Sequence, residues 1–164
     1  MKRDVRIERT YPFPPDRVWR ALTEPATLGR WFMENDLRPE LGHAFTFRMK
    51  PQRGWDGITH CEVIELEPLR RIAFTYRGEA TGEKALRCAG VGDERALAAG
   101  KGVFTSLDTV LRFTLAAKGD GTRLVMEHQG FVGFKQVIVS FIMGAGWKHS
   151  VLPRLGPVLE AMGR

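Results

Sequence analysis

The sequence predicts an α+β domain in which a meander of antiparallel strands is followed by a long C-terminal helix. Three observations carry that expectation. Between about residue 43 and residue 128, the apolar residues fall mostly at every second position. The interruptions are turn-forming groups such as Glu67-Pro68-Leu69-Arg70 and Lys118-Gly119-Asp120-Gly121. From Phe134 onward the spacing changes to threes and fours. A chain of 164 residues buries roughly two thirds of its unfolded surface as one domain. A single domain over residues 1–164 is therefore expected.

Val5 to Tyr11 alternates and reads as the first strand. Phe13-Pro14-Pro15-Asp16 ends it, because proline cannot donate to a ladder yet suits a first helical turn, where Asp16 meets the positive end of the dipole. Val18, Trp19, Ala21 and Leu22 form the stripe of a short helix. Thr23-Glu24-Pro25 breaks it, and Leu28, Trp31 and Phe32 mark a second one.

Period two then takes over. His43, Phe45, Phe47 and Met49 share one strand face, Pro51 to Gly57 is rich in turn residues, and further strands are expected over 58–66, 72–76, 109–115 and 122–128. Parity places Phe45, Phe47, Phe74, Tyr76, Leu111, Phe113, Leu115, Leu124, Met126 and His128 on the buried face. In strand 58–66, Val63 and Ile64 fall on opposite faces, which a bulge would resolve. The C-terminal helix is read from Phe134, Val137, Ile138 and Phe141, then from Trp147, Val151, Leu155, Val158, Leu159 and Met162. Gly144-Ala145-Gly146 is expected to separate the two parts. Pro153 and Gly156-Pro157 weaken that helix by about 1 and up to about 3 kcal/mol in isolation, so it depends on tertiary packing.

Twenty-five Lys and Arg against nineteen Asp and Glu give a net charge of +6 and a pI near 9.7. The charges are interleaved, as in Glu65, Glu67, Arg70 and Arg71, and no basic run suggests a nucleic-acid partner. Cys61 and Cys88 are too few for a disulfide scaffold. The N-terminus lacks the apolar core of a signal peptide, and the apolar run from Val137 to Trp147, broken by Ser140, is too short to span a bilayer. The expectation is a cytoplasmic protein with no membrane partner. His43, His60 and His128 could approach a metal only with Glu62 or Cys61, and adjacent His60 and Cys61 point to opposite faces of a strand. No metal or other cofactor is expected, and no nucleophile elbow, phosphate loop or HExxH element is present.

Several of these stretches together resemble a known superfamily. They are Pro15-Asp16-Arg17-Val18-Trp19-Arg20-Ala21-Leu22-Thr23-Glu24-Pro25 with Leu28 and Trp31-Phe32; Val63-Ile64-Glu65-Leu66-Glu67-Pro68 with Arg70 to Tyr76; Gly119-Asp120-Gly121-Thr122-Arg123-Leu124 leading to His128-Gln129-Gly130-Phe131; and Gly146-Trp147. The chain resembles the START-like (SRPBCC, birch-pollen-allergen-type) superfamily, and within it the family named after the activator of the heat-shock-protein-90 ATPase. The resemblance implies a helix-grip fold, in which a curved antiparallel sheet wraps the C-terminal helix and leaves a cavity between them. Tyr76 stands where the family frequently has tryptophan, and Cys61 where it frequently has glycine.

Such a cavity would be lined by Trp31, Phe45, Phe47, Phe74, Tyr76, Phe113, Met126, His128, Trp147 and Val151. Three functions follow. The first is binding of a small hydrophobic or amphipathic molecule. The second is a cyclase- or hydrolase-type reaction in the same cavity, with His128 as base and Tyr76 or Glu65 as companion. The third is a co-chaperone-like interaction module with a chaperone partner, for which the resemblance implies a second, N-terminal domain, and none is expected here. A homodimer is an open alternative.

One segment departs from the family. Gly78 to Gly102 interrupts the meander with six glycines, many alanines and no aromatic residue, and an insertion over about 78–104 reads as a mobile loop or a lid. Limited proteolysis should cut the native protein first between Gly78 and Gly102. Complete resistance there would contradict the reading.

Overall fold

The computed structural model describes residues 1–51, 56–78 and 107–163. The expected insertion at 78–104, with Cys88, lies outside the described residues apart from Gly78 itself, which ends a strand.

Seven strands form one antiparallel sheet: β1 (Lys2–Tyr11), β2 (Glu34–Asn35), β3 (Ala44–Arg48), β4 (Ile58–Glu67), β5 (Arg71–Gly78), β6 (Leu107–Lys118) and β7 (Gly121–Val132). Their order is β1-β7-β6-β5-β4-β3-β2, so every neighbour except the β1–β7 pair is also a sequence neighbour. Helices α1 (Pro15–Thr23) and α2 (Pro25–Trp31) follow β1. The C-terminal helical run comprises α3 (Phe134–Gly146), a π-helical turn (Trp147–Val151), a 3-10 turn (Leu152–Arg154) and α4 (Leu155–Met162). The curved sheet and the helix it holds make a helix-grip fold, as expected.

Strand parity sets the core. Phe45, Phe47, Phe74, Tyr76, Leu111, Phe113, Leu115, Leu124, Met126 and His128 are all buried on the helix-facing side. Burial of one such aromatic or aliphatic side chain contributes about 1.5–3 kcal/mol. The expected bulge lies between Val63 and Glu65, where the β4–β5 register shifts. Val63 is buried and Ile64 exposed. A second shift separates Arg3 from Val5 against β7, beside Gly130 at φ 104. In the β6–β7 hairpin, Lys118 pairs with Gly121, and Gly119 takes φ 58 at the first central position, where a type II′ turn favours glycine. The two-residue strand β2 carries too short a pattern to be read from sequence.

The helix-break-helix unit also follows from local chemistry. Pro25 drives Glu24 into extended backbone (φ −84, ψ 119), which ends α1 and starts α2. The Trp31 indole N–H then donates to the Ala21 carbonyl at 2.9 Å and ties the second helix to the first. Among the described residues no helix is long and apolar enough to cross a membrane.

The C-terminal helix differs from expectation in two ways. The run does not break at Gly144-Ala145-Gly146; its register changes at Trp147, where the Leu152 N–H bonds the Trp147 carbonyl five residues back. Pro153 has no N–H for the His149 carbonyl, and Pro157 none for that of Pro153, so a regular α-ladder cannot continue through 147–157. Second, Phe134, Ile138 and Phe141 point outward, while Val139 and Ser140 are buried. The helix lies so close to β1 that a Cβ on Gly144 would touch the Val5 methyls, and only small side chains fit between them.

The β4–β5 turn stores strain. Arg70 N–H donates to Glu67 O across Pro68-Leu69, and exposed Leu69 adopts φ 64 where a type II turn wants glycine. Leu69→Gly should raise stability by roughly 0.5–1 kcal/mol in urea denaturation, and a loss would contradict the strain.

Candidate functional site

Nine of the ten residues read as a cavity wall from sequence are buried, and Val151 is half-buried. The eight that carry rings form a connected cluster. Phe45 meets Phe47 and Phe74 edge to face, with centroids 5.3 and 5.2 Å apart. Phe74 passes the contact to Phe113, and Phe113 to Trp147. Trp31 reaches the same cluster through Phe113.

Phe32 completes it and was not among the expected wall residues. Its ring lies 4.7 Å from both Phe47 and Trp147 and 6.5 Å from Tyr76. The ring contacts it makes are with buried partners, yet Phe32 itself is half-buried. Its place at the C-terminal end of α2 gave no parity signal, since strand alternation does not extend there.

A string of polar groups crosses this apolar wall. Trp147 Nε1–H donates to His128 Nδ1 at 3.3 Å. His128 Nε2 lies 2.8 Å from Thr109 Oγ1, and that hydroxyl donates to the Tyr76 carbonyl at 2.8 Å. With the Thr109 proton committed to Tyr76 and the indole donating to Nδ1, the neutral His128 tautomer carries its proton on Nε2. Burial alone pulls the His128 pKa down to about 3, so the ring is neutral at physiological pH. The Tyr76 phenol shares a hydrogen bond with Thr59, and burial pushes its ionisation far above the ordinary range. Thr59 and Thr109, both buried, were not foreseen: threonine in a strand is common and its hydroxyl leaves no pattern.

The third residue considered for proton transfer is placed elsewhere. Glu65 follows the β4 bulge onto the convex face, where Arg112 Nη2 lies 2.6 Å from its Oε1 and Arg71 adds a longer contact. The hydrogen bond from Arg112 holds this carboxyl below its ordinary pKa. His128 and Tyr76 thus share the interior, with ring centroids 5.1 Å apart, and Glu65 does not.

The histidines stand apart as well. His43 bonds the Asp36 carbonyl and stacks on Phe45, and His60 is exposed. Cys61 is buried, and burial raises its thiol pKa. Among the described residues no three His, Cys, Asp or Glu side chains group as metal ligands.

A curved antiparallel sheet around a C-terminal helix, with two short helices after the first strand, is the architecture of a START-like domain. The chain belongs to the family described as activator of Hsp90 ATPase homolog 1-like protein, whose model matches residues 12–160. Among solved structures it is similar to protein MLL2253 from Mesorhizobium loti, with 29% identity and a TM-score of 0.76 over 97% of this chain and 98% of that one. It is also similar to CalU16 from Micromonospora echinospora, with 26% identity and a TM-score of 0.63 over 98% and 80% of the two chains. DynU16, a protein of the dynemicin biosynthetic locus, shares the fold at 21% identity and a TM-score of 0.66 over 96% of this chain and 47% of that one. No curated protein matches the chain.

The buried imidazole makes stability pH-dependent. His128 in the folded chain titrates near 3 and in the unfolded chain near 6.5. Between those values the unfolded chain binds more protons, so this contribution is complete above about pH 6.5 and is lost as the pH falls toward 3. His128→Gln should cost roughly 2 kcal/mol at pH 7.5, by disturbing the string. The gap from the parent should narrow by pH 4.5 in urea denaturation, and a gap independent of pH would contradict the assignment.

Proposed function

We infer that the protein binds a small hydrophobic or amphipathic molecule between the helix-facing side of its sheet and the C-terminal helix. The observation that carries this reading is the change of helical register at Trp147–Arg154, set against the aromatic wall. π-Turns within helices cost regular hydrogen bonding and recur at functional sites. Here the turn begins at the residue whose ring meets Phe32 and Phe113 and whose N–H meets His128.

The wall has the composition of a small-molecule site, mostly aromatic with a few polar groups. Phe32 and Val151, each half-buried, supply apolar surface at its border. The polar string favours binding over proton transfer. Both His128 nitrogens are engaged, and a pKa near 3 makes it a poor base at neutral pH. Tyr76 is equally unsuited to ionise. A ligand hydroxyl or carbonyl could instead exchange into the string at Tyr76 or Thr59.

Native mass spectrometry of freshly purified protein should show an adduct of fixed mass that disappears on denaturation. Stripped protein should bind the neutral dye Nile red saturably, with a blue-shifted emission, and Phe32→Ala should weaken that binding about tenfold. Absence of both the adduct and saturable dye binding would refute the reading.

A further inference from the structure

We propose that the groove between β1 and α3 is a second, external binding site for an anionic amphiphile, a carboxylate or phosphate carried on an apolar chain or ring. The groove encloses about 430 Å³, a volume in the range of small-molecule sites. Its lining is mixed, and the apolar part comes from Val5 and Ile7 of β1 and from Phe141 and Ala145 of α3. None of these belongs to the aromatic wall of the interior.

Charge selects the ligand class. Arg3 and Lys148 bring positive charge to the groove; Arg6 borders it from the outer face of β1, where its Nη2 lies 3.6 Å from Glu8 Oε2, and the one carboxylate among the lining residues is Asp4. Asp4 is already committed: its Oδ1 accepts the Gly130 N–H at 3.2 Å, and its Oδ2 lies 3.9 Å from Lys2 Nζ. From Gln129 to Leu159 the chain carries no acidic residue, so α3 brings only cations to this face.

Arg3 is the built part of the site. It is half-buried, its Nη1 donates to the buried Ser140 hydroxyl at 3.1 Å, and its guanidinium carbon lies 3.8 Å from the centroid of the Phe141 ring. Ser140 in turn donates to the Val137 carbonyl at 2.6 Å, which orients its lone pairs toward Arg3. No carboxylate of the described residues pairs with Arg3. A guanidinium has five N–H donors, and the hydroxyl accepts one of them. An arginine fixed by a ring and a hydroxyl, without a counter-ion, is preorganised for a bidentate anion.

An inward charge on an edge strand can also serve to discourage pairing with other chains, and β1 is an edge strand. That role would explain Arg3 but not the groove beside it, nor the presence of Lys148 on its helical side. The apolar surface also continues beyond the groove along α3, where Ile142 and Phe134 are 54% and 67% exposed. The tail of a bound amphiphile would extend along it.

The test titrates the isotope-labelled chain with dodecanoate below its micelle concentration, with dodecan-1-ol as the neutral control. NMR follows the Arg3 side-chain N–H and the Gly144 and Ala145 amides. Dodecanoate should shift these signals saturably, and dodecan-1-ol should bind them at least about tenfold more weakly. Arg3→Met should weaken dodecanoate binding about tenfold, and so should Ala145→Glu, whose exposed position leaves the fold intact. Phosphatidylcholine vesicles with and without phosphatidylglycerol distinguish the sources. Sedimentation only with the anionic lipid, lost in Ala145→Glu, assigns a bilayer lipid, and dodecanoate binding without sedimentation assigns a free amphiphile. The proposal is overturned if both variants bind as the parent does, if dodecan-1-ol binds equally well, or if the shifts are confined to Tyr76, His128 and Trp147.

Discussion

The contact between Trp147 and His128 is the point at which the two halves of the molecule depend on each other. His128 belongs to β7, near the middle of the sheet's pairing between β1 and β6, and Trp147 is where the C-terminal helix changes register. Their hydrogen bond is a buried polar link from helix to sheet within the ring-lined part of the interface. Thr109 and the Tyr76 carbonyl carry the link on across β6 to β5. Each member is buried, so leaving one unpaired costs about 1–3 kcal/mol. The helix is therefore positioned by hydrogen-bond geometry as well as by apolar packing.

That constraint accounts for the irregular helix. Two prolines four residues apart would be poorly tolerated in a straight α-helix, since each withdraws a donor from the carbonyl four residues before it. The π-turn places Trp147 against His128 and Phe32, and the 3-10 turn restores the register so that Leu155, Val158 and Leu159 pack beside α1 and α2. Local strain and tertiary contact thus sit in one segment, the pattern expected when an element is shaped by its site rather than by its propensity.

Legibility in the sequence followed the same division. Strand parity identified the buried face residue by residue, because a period of two leaves only one other phase and Phe45, Phe47, Phe74, Leu111 and Phe113 agree on it. The Val63/Ile64 conflict even located the bulge. Parity also brought His128 and Tyr76 to the interior, but it could not show that His128 would be held between Thr109 and Trp147. That is a cross-element contact, and neither threonine nor tryptophan advertises its partner. Glu65 was misplaced as a companion for His128 because the bulge that reconciles Val63 with Ile64 also fixes which face the carboxylate takes.

The first half of the C-terminal helix resisted reading for a different reason. Phe134, Val137, Ile138 and Phe141 have the spacing of a buried stripe, and spacing alone favours turning the large residues inward. The deciding quantity is the distance between α3 and β1, which no periodicity encodes. Ser140 and Gly144, four residues apart, form the narrow face that allows this approach, and the same approach brings Arg3 over Phe141 and within reach of the Ser140 hydroxyl. Small residues in an apolar helix therefore carried the structural information, and the large ones were displaced to the surface. A groove with a mixed apolar and cationic lining follows from that close packing, since the strand supplies Val5, Ile7 and Arg3 on the side that faces the helix.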